Sequence, residues 1–246
     1  MMKTIKKTAL YRLFQRIRWH LRARRFPYDN IRIRAGKGEF SMNTRSWQVA
    51  PLISQYVKGD EFLYEKEESE RFLGLIEKGD VVFDIGGQVG YYTLLALQGG
   101  AGKLYAFEIS RAYRKEIKRQ VSIAGLRNRV EIIAAALGER DGKEVMFQDY
   151  FGKTKMRGCA LDTFCKERNI SPNVIKIDVQ GQEIAVLEGM RETLKKHRPR
   201  LMVMLYEELL QERGEKKERG LEIIREAGYE IEQFANKHSY ICLPRT

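Results

Sequence analysis

Gly79-Asp80-Val81-Val82-Phe83-Asp84-Ile85-Gly86-Gly87-Gln88-Val89-Gly90-Tyr91-Tyr92-Thr93 decides the fold. Val81–Ile85 is a short, nearly unbroken apolar run behind a Gly-Asp stop, the mark of a strand buried on both faces. Glycines follow at once, and then an apolar stretch, Tyr91–Leu97, that suits a helix. A buried strand that turns through glycine straight into a helix opens a βα unit.

Outward from this stretch the pattern repeats. Strands are predicted over Lys103–Glu108, Val130–Ala135, Asn173–Asp178 and Arg200–Tyr206. Helices are predicted over Ser110–Ala124, Gln182–Lys196 and Lys217–Ala227, with a short one over Leu161–Arg168 and an extra strand at Val145–Tyr150. Such alternation predicts an α/β, doubly wound parallel sheet with right-handed crossovers. Tyr229–Phe234 and Ser239–Leu243 end the chain as two strands with a short connection, which must be antiparallel. Upstream, Glu65–Lys78 reads as an amphipathic helix and Ala50–Tyr56 as a short helix. Ile31–Met42 reads as a β-hairpin around Ala35-Gly36-Lys37-Gly38. Three regions are expected: a basic arm over 1–28, a hairpin and lead-in helix over 29–78, and the ligand-binding domain over 79–246.

The chain has 246 residues, of which 43% are hydrophobic, enough for one domain with a true core. No apolar run approaches the roughly 20 residues of a membrane-spanning helix. Cys159, Cys165 and Cys242 form neither a disulfide framework nor a paired zinc motif, so no metal is expected and a cytoplasmic location is. Nine of the 45 bases lie in residues 1–28 without a single acid; the remainder carries 36 bases against 33 acids. Leu10, Leu13, Phe14, Ile17 and Leu21 share one face of a helix there, with Arg12, Arg16 and Arg22 on others. A basic amphipathic helix suits a membrane surface, which makes peripheral attachment the leading use of the arm. Packing on the domain or a second subunit is the next reading. Nucleic-acid phosphates come third, since the main body is nearly neutral.

Asp84-Ile-Gly86-Gly87-Gln88-Val-Gly90 lies at the carboxyl end of the first core strand, where doubly wound sheets bind ligands. Glu108 ends the next strand, 24 residues on, placed to accept hydrogen bonds from ribose hydroxyls. The spacing breaks the G-x-G-x-x-G dinucleotide pattern, and no Gly-Lys-Ser/Thr phosphate loop occurs. D-x-G-x-x-x-G with an acid on the second strand suits S-adenosylmethionine, which carries no phosphate.

The quoted stretch also resembles the first motif of FkbM-type methyltransferases. Tyr105-Ala106-Phe107-Glu108, Leu161-Asp162, Ile175-Lys176-Ile177-Asp178-Val179-Gln180-Gly181-Gln182-Glu183, Leu187-Glu188-Gly189-Met190, Arg198-Pro199 and Gly228-Tyr229 continue the likeness, with Tyr64-Glu65 as its lead-in. The resemblance spans about residues 56–243. It implies a class I methyltransferase, Rossmann-like fold with an antiparallel last strand, and S-adenosylmethionine-dependent O-methylation of glycan, lipid-linked or polyketide-like hydroxyls. Residues expected at the cofactor are Tyr64, Asp84, Gly86, Gly87, Gln88, Gly90, Tyr91, Glu108, Ala135 and Asp178. Asp178 is also the expected general base. Tyr64, Tyr91 and Tyr92 are expected to wall the sulfonium or substrate cleft.

Three departures stand out. Gly87-Gln88 replaces the family's usual Ala-Asn, Gln180 its usual Glu, and Met204 lies where an acid usually ends the fifth strand. They motivate an alternative, a cofactor-binding partner protein without catalysis. A third alternative is an RNA methyltransferase. Against it, no Asn/Asp-Pro-Pro-Tyr/Phe motif occurs. His197 and His238 read as a helix-end and a hairpin residue without a catalytic part.

Overall fold

The computed structural model describes residues 21, 30–35, 38–46, 57–58, 61–62, 65–149, 152–234 and 236–245. The basic arm (Leu21 apart), the expected helix over Ala50–Tyr56 and Tyr64 lie outside them. In chain order the elements are β1 (Asn30–Ala35), β2 (Gly38–Asn43), α1 (Lys66–Gly74), β3 (Val81–Ile85), α2 (Tyr91–Gln98), β4 (Lys103–Phe107), α3 (Arg111–Ile123), β5 (Val130–Ile133), β6 (Ala136–Leu137), β7 (Glu144–Asp149) and β8 (Gly152–Cys159). They continue as α4 (Leu161–Arg168), β9 (Val174–Ile177), α5 (Glu183–Glu188), α6 (Arg191–His197), β10 (Arg200–Met204), α7 (Glu207–Gln211), α8 (Lys217–Glu226), β11 (Tyr229–Phe234) and β12 (Ser239–Pro244). Two short bridges, Val57–Lys58 and Glu61–Phe62, pair antiparallel before α1.

Seven strands form the main sheet in the order β11-β12-β10-β9-β3-β4-β5. β10, β9, β3, β4 and β5 are mutually parallel, and β12 runs antiparallel to both β10 and β11. The sequence therefore predicts the fold class correctly, down to the antiparallel last strand. Alternation along each strand divides the core in two. Val82, Leu104, Ala106, Val174 and Met202 pack with residues of α1, α2 and α3. Phe83, Ile85, Phe107, Ile175, Ile177 and Leu201 pack with residues of α4, α5, α6 and α8.

The β1–β2 hairpin belongs to the first of these cores through Ile31, Ile33, Phe40 and Met42. Its last residue fastens it to α3. The Asn43 carbonyl accepts from Arg119 Nη2 (3.0 Å) and Gln120 Nε2 (2.7 Å), and Gln120 Oε1 accepts from the Asn43 amide (3.0 Å).

Three expectations change in detail. The extra strand has an antiparallel partner, β8, which also runs parallel to β6. Its charged positions Lys153, Lys155 and Arg157 hide it from a search for apolar runs, although they alternate with period two. The helix predicted over Gln182–Lys196 is two helices broken at Gly189-Met190. A Cβ on Gly189 would lie 1.9 Å from the Gly138 carbonyl oxygen, so that loop needs the break and the missing side chain. Asp162 then caps α6 from outside, its carboxylate accepting from the amides of Thr193 (2.7 Å) and Glu192 (3.0 Å). Finally, β5, β9 and β10 stop one or two residues early, which leaves Ala135, Asp178 and Tyr206 just past the strand ends.

Candidate active site

The carboxyl ends of β3, β4 and β9 meet around the glycine turn. Gly86 has φ +88° and Gly90 φ +88°, and Gln88 between them has φ +44°. The turn is pinned to the neighbouring strand, because the Gly86 and Gly87 amides both donate to the Phe107 carbonyl, at 2.9 and 3.2 Å. It also lies hard against β9: a Cβ at Gly86 would come within 1.9 Å of the Asp178 carbonyl oxygen. Glycine is required there twice over, by conformation and by space.

Glu108 follows β4 and is buried. Its carboxylate accepts from the Gln88 amide (2.9 Å) on one oxygen and the Ser110 amide (2.7 Å) on the other. Each oxygen keeps a lone pair for a further donor. Burial pushes this carboxyl above the ordinary Glu value, with the two amides pulling against it. Arg114 ties the same loop by donating to the carbonyls of Glu108 (2.9 Å) and Ile109 (2.5 Å).

A buried charge cluster underlies the turn. The β3–β9 register sets Lys176 directly opposite Asp84. Lys176 Nζ lies 3.3 Å from Asp84 Oδ1 and 3.8 Å from Asp178 Oδ2, donates to the Gly86 carbonyl (3.1 Å) and sits 4.9 Å from the Tyr92 ring centroid. Asp84 Oδ2 accepts from Thr93 Oγ1 (2.7 Å). Asp84 Oδ1 and Asp178 Oδ1 are buried with no donor aligned on either. Burial opposes the Lys176 charge, but Asp84 and Asp178 outweigh it and hold the ammonium above its usual value. Asp178 moves up from the ordinary Asp value, through burial first and Asp84 second, with Lys176 opposing. Counting Glu108, three carboxylates face one ammonium, so the site has surplus negative charge for a cationic ligand.

Glu183 shapes the loop behind Asp178, accepting from the amides of Val179 (3.0 Å) and Gly181 (2.9 Å). Burial outweighs these bonds and pushes its carboxyl up to about 7. Gln180 in that loop is exposed, with φ +56°.

The expected site residues fall into groups. Asp84, Gly86, Gly87, Gln88, Gly90, Glu108 and Asp178 converge on the turn. Ala135 lies in the loop after β5 and packs partly buried against the second core. Tyr91 is 5% exposed, with its hydroxyl 2.7 Å from Ser69 Oγ and its ring against Phe40 and Tyr92. Its side chain is core, so its contribution at the turn is its backbone. Tyr92 likewise points inward, donating to Glu65 Oε2 (2.7 Å). Met204 is buried, and the nearby acids turn elsewhere, Glu207 to Lys217 (3.3 Å) and Glu208 to Lys237 (3.7 Å).

Two cleft residues escape the sequence reading. One is Lys176, for which the signal was a lysine flanked by isoleucines inside a buried strand. The other is Tyr206, just past β10, its ring 4.8 Å from that of His238. Burial raises the Tyr206 hydroxyl, and the fields of Asp178, Glu65, Glu183 and Glu68 raise it further.

The arrangement fits S-adenosylmethionine. Glu108 retains acceptor capacity for ribose hydroxyls, and the surplus of carboxylates beside the glycine turn suits the cofactor's cationic groups. Among the described residues no cluster of His, Cys, Asp or Glu is placed to hold a metal ion.

Sheet order and ligand turn together define a class I, Rossmann-like methyltransferase. The profile of the Methyltransferase FkbM domain matches residues 84–231, and the chain belongs to that family of S-adenosylmethionine-dependent methyltransferases. A similar solved structure is the methyltransferase FkbM of Methylobacillus flagellatus KT, with TM-score 0.50 and 15% identity over 72% of this chain and 51% of that one. The chain thus spans about half the length of that relative. Precorrin-6y C5,15-methyltransferase of Geobacter metallireducens GS-15 follows with TM-score 0.48 and 14% identity over 77% and 91% of the two chains. An rRNA methylase of Streptococcus thermophilus has TM-score 0.47 and 15% identity over 72% and 92%. No protein of curated function matches the chain.

Proposed function

We propose that the protein methylates a hydroxyl oxygen of a glycan, lipid-linked or polyketide-like acceptor. Bound at the glycine turn, S-adenosylmethionine supplies an electrophilic methyl group. Glu108 would hold its ribose beside the Gly86–Gly90 turn, and the negative charge of Asp84 and Asp178 would favour its cationic groups. Asp178 takes the acceptor's proton. The observation that carries this reading is the place of Asp178, a carboxylate 18% exposed at the end of β9 with its carbonyl packed against the glycine turn. Its raised pKa makes it a better base than an ordinary aspartate. Orientation of the hydroxyl against the methyl supplies much of the rest of the rate.

A methyl-release screen against glycan, lipid-linked and polyketide acceptors, with RNA included, tests the acceptor class. Methyl transfer to RNA alone would overturn it. With the responding acceptor, Asp178→Asn is expected to lower turnover about 100-fold or more while cofactor affinity falls less than about tenfold. Wild-type turnover should rise with pH through a limb displaced upward from the ordinary Asp value, because Asp178 is ionised only above its raised pKa. Unchanged turnover in the variant would remove Asp178 from the base role.

A second reading is a cofactor-binding protein without turnover. It rests on the buried Met204 and on Gln180, which cannot take a proton. Gln180→Glu separates the two: a gain of methyl release from an otherwise inert protein favours the second reading.

A further inference from the structure

The segment from Asp178 to Gln182 joins β9 to α5. Two of its residues have left-handed backbone, Gln180 at φ +56° and Gly181 at φ +93°. A residue other than glycine is uncommon there and persists where its surroundings hold it. Such a turn aims neighbouring amides at one point and makes a nest for an anion. The anion in this nest is the chain's own. Glu183 Oε1 accepts from the amides of Val179 (3.0 Å) and Gly181 (3.1 Å), and Oε2 accepts from Gly181 as well (2.9 Å). A carboxylate in the first turn of a helix ordinarily serves that helix. Glu183 instead reaches back two and four residues, and its side chain is fully buried.

The same segment borders the reacting groups. Its Asp178 amide donates to the Ile85 carbonyl of β3 (3.0 Å). Its Asp178 carbonyl packs on the cofactor turn so tightly that a Cβ on Gly86 would lie 1.9 Å away, with Val179 Cγ1 at 3.5 Å from the same point. The Asp178 carbonyl and the Val179 amide belong to one rigid peptide plane. A bond to that amide therefore also sets where the carbonyl lies and how the Asp178 side chain leaves the backbone. Asp178 Oδ2 ends 3.8 Å from Lys176 Nζ, inside the buried charge cluster.

We propose that Glu183 is a positioning residue, which fixes the Asp178–Val179 peptide plane and so holds the Asp178 carboxylate beside Lys176 and its carbonyl against the cofactor turn. Its consequence for turnover rests on Asp178 as the base. Its hold on the loop does not, and is read without any acceptor.

The test compares Glu183→Gln with Glu183→Ala. Both remove the same charge, so an electrostatic effect on Asp178 is common to the two. Glu183→Gln keeps an oxygen that can serve both amides, and Glu183→Ala keeps none. Hydrogen exchange at the Val179 and Gly181 amides should quicken about 10- to 100-fold in Glu183→Ala and stay within about threefold of wild type in Glu183→Gln. Titration of the Asp178 carboxyl, followed by carbon NMR, then separates positioning from a helix-start role. In wild type and Glu183→Gln it should remain above the ordinary Asp value, held there by burial first and by Asp84. In Glu183→Ala it should return toward that ordinary value as the side chain leaves the cluster. With the acceptor from the methyl-release screen, kcat should fall about 100-fold in Glu183→Ala and less than about threefold in Glu183→Gln. If Glu183→Ala does not fold, Glu183→Asp takes its place with the same expectation, since it keeps the charge but is one carbon too short to reach both amides. Asp178 titration that is the same in Glu183→Gln and Glu183→Ala would overturn the proposal, and so would unchanged exchange at Val179 and Gly181 in Glu183→Ala. Unchanged turnover in Asp178→Asn, beside a clear difference between the two Glu183 variants in the Asp178 titration, would remove the base alone and support the hold of Glu183 on the loop.

Discussion

Gly86→Ala is expected to destabilise the protein by about 3–5 kcal/mol and to abolish cofactor binding, while Gly79→Ala costs only about 1–2 kcal/mol. The two glycines share a left-handed backbone, φ +88° and +93°, so the conformational cost of a side chain is common to both. Their surroundings differ. Nothing lies within 4 Å of a Cβ built on Gly79, whereas one on Gly86 meets the Asp178 oxygen at 1.9 Å and its carbonyl carbon at 2.9 Å. Neither partner can yield cheaply. The Asp178 amide donates to Ile85 (3.0 Å) and the Gly86 amide to Phe107 (2.9 Å), so separating them opens the sheet where ligand and base must meet. Urea titration of both variants, with a cofactor titration of each, reads the difference. Equal losses would show that the turn and β9 are not in close contact.

Lys176→Met is expected to cost about 3–5 kcal/mol at pH 8, because it leaves Asp84 and Asp178 buried without their counter-charge. The pH dependence distinguishes this cause from simple repacking. In the wild type the ammonium's pKa is raised, so its contribution is complete at neutral pH and is lost only as pH rises through that raised value. In the variant burial and the nearby Asp84 charge act on Asp178 without the opposing ammonium. The Asp178 pKa, already raised in the wild type, rises further, and the deficit relative to wild type shrinks as pH falls and Asp178 protonates. Lys176→Met/Asp178→Asn should recover part of the loss, since only one uncompensated carboxylate remains. A deficit below about 1 kcal/mol that does not vary with pH would contradict the charge cluster.

Much of this site is legible in the sequence because its members are neighbours along the chain or punctuate strand ends. Asp84, the glycines and Glu108 stand where a strand stops, and the doubly wound parallel class follows from the alternation of elements. Lys176 is different. Its meaning depends on Asp84, 92 residues earlier, and only the β3–β9 register brings the two side by side. Aromatic residues mislead for a related reason. Tyr91 and Tyr92 follow the ligand turn directly, yet α2 starts from a left-handed Gly90 and lies with both side chains toward α1, on Ser69 and Glu65. Tyr206 is missed because its strand ends at Met204, two residues before the expected end. The division of Gln182–Lys196 into two helices follows from a tertiary contact, the approach of the Gly138 carbonyl to Gly189, which helix periodicity does not encode.

The central claim is that the turn between β3 and α2, with Glu108 beside it, holds S-adenosylmethionine. Calorimetric titration of the purified protein with S-adenosylmethionine, repeated on Glu108→Ala, tests it most directly. Micromolar binding is expected, about 100-fold weaker in the variant, because the carboxylate that anchors ribose and fixes the Gln88 and Ser110 amides is gone. No binding at millimolar cofactor by a cooperatively folded wild type, or equal binding by the two proteins, would contradict it.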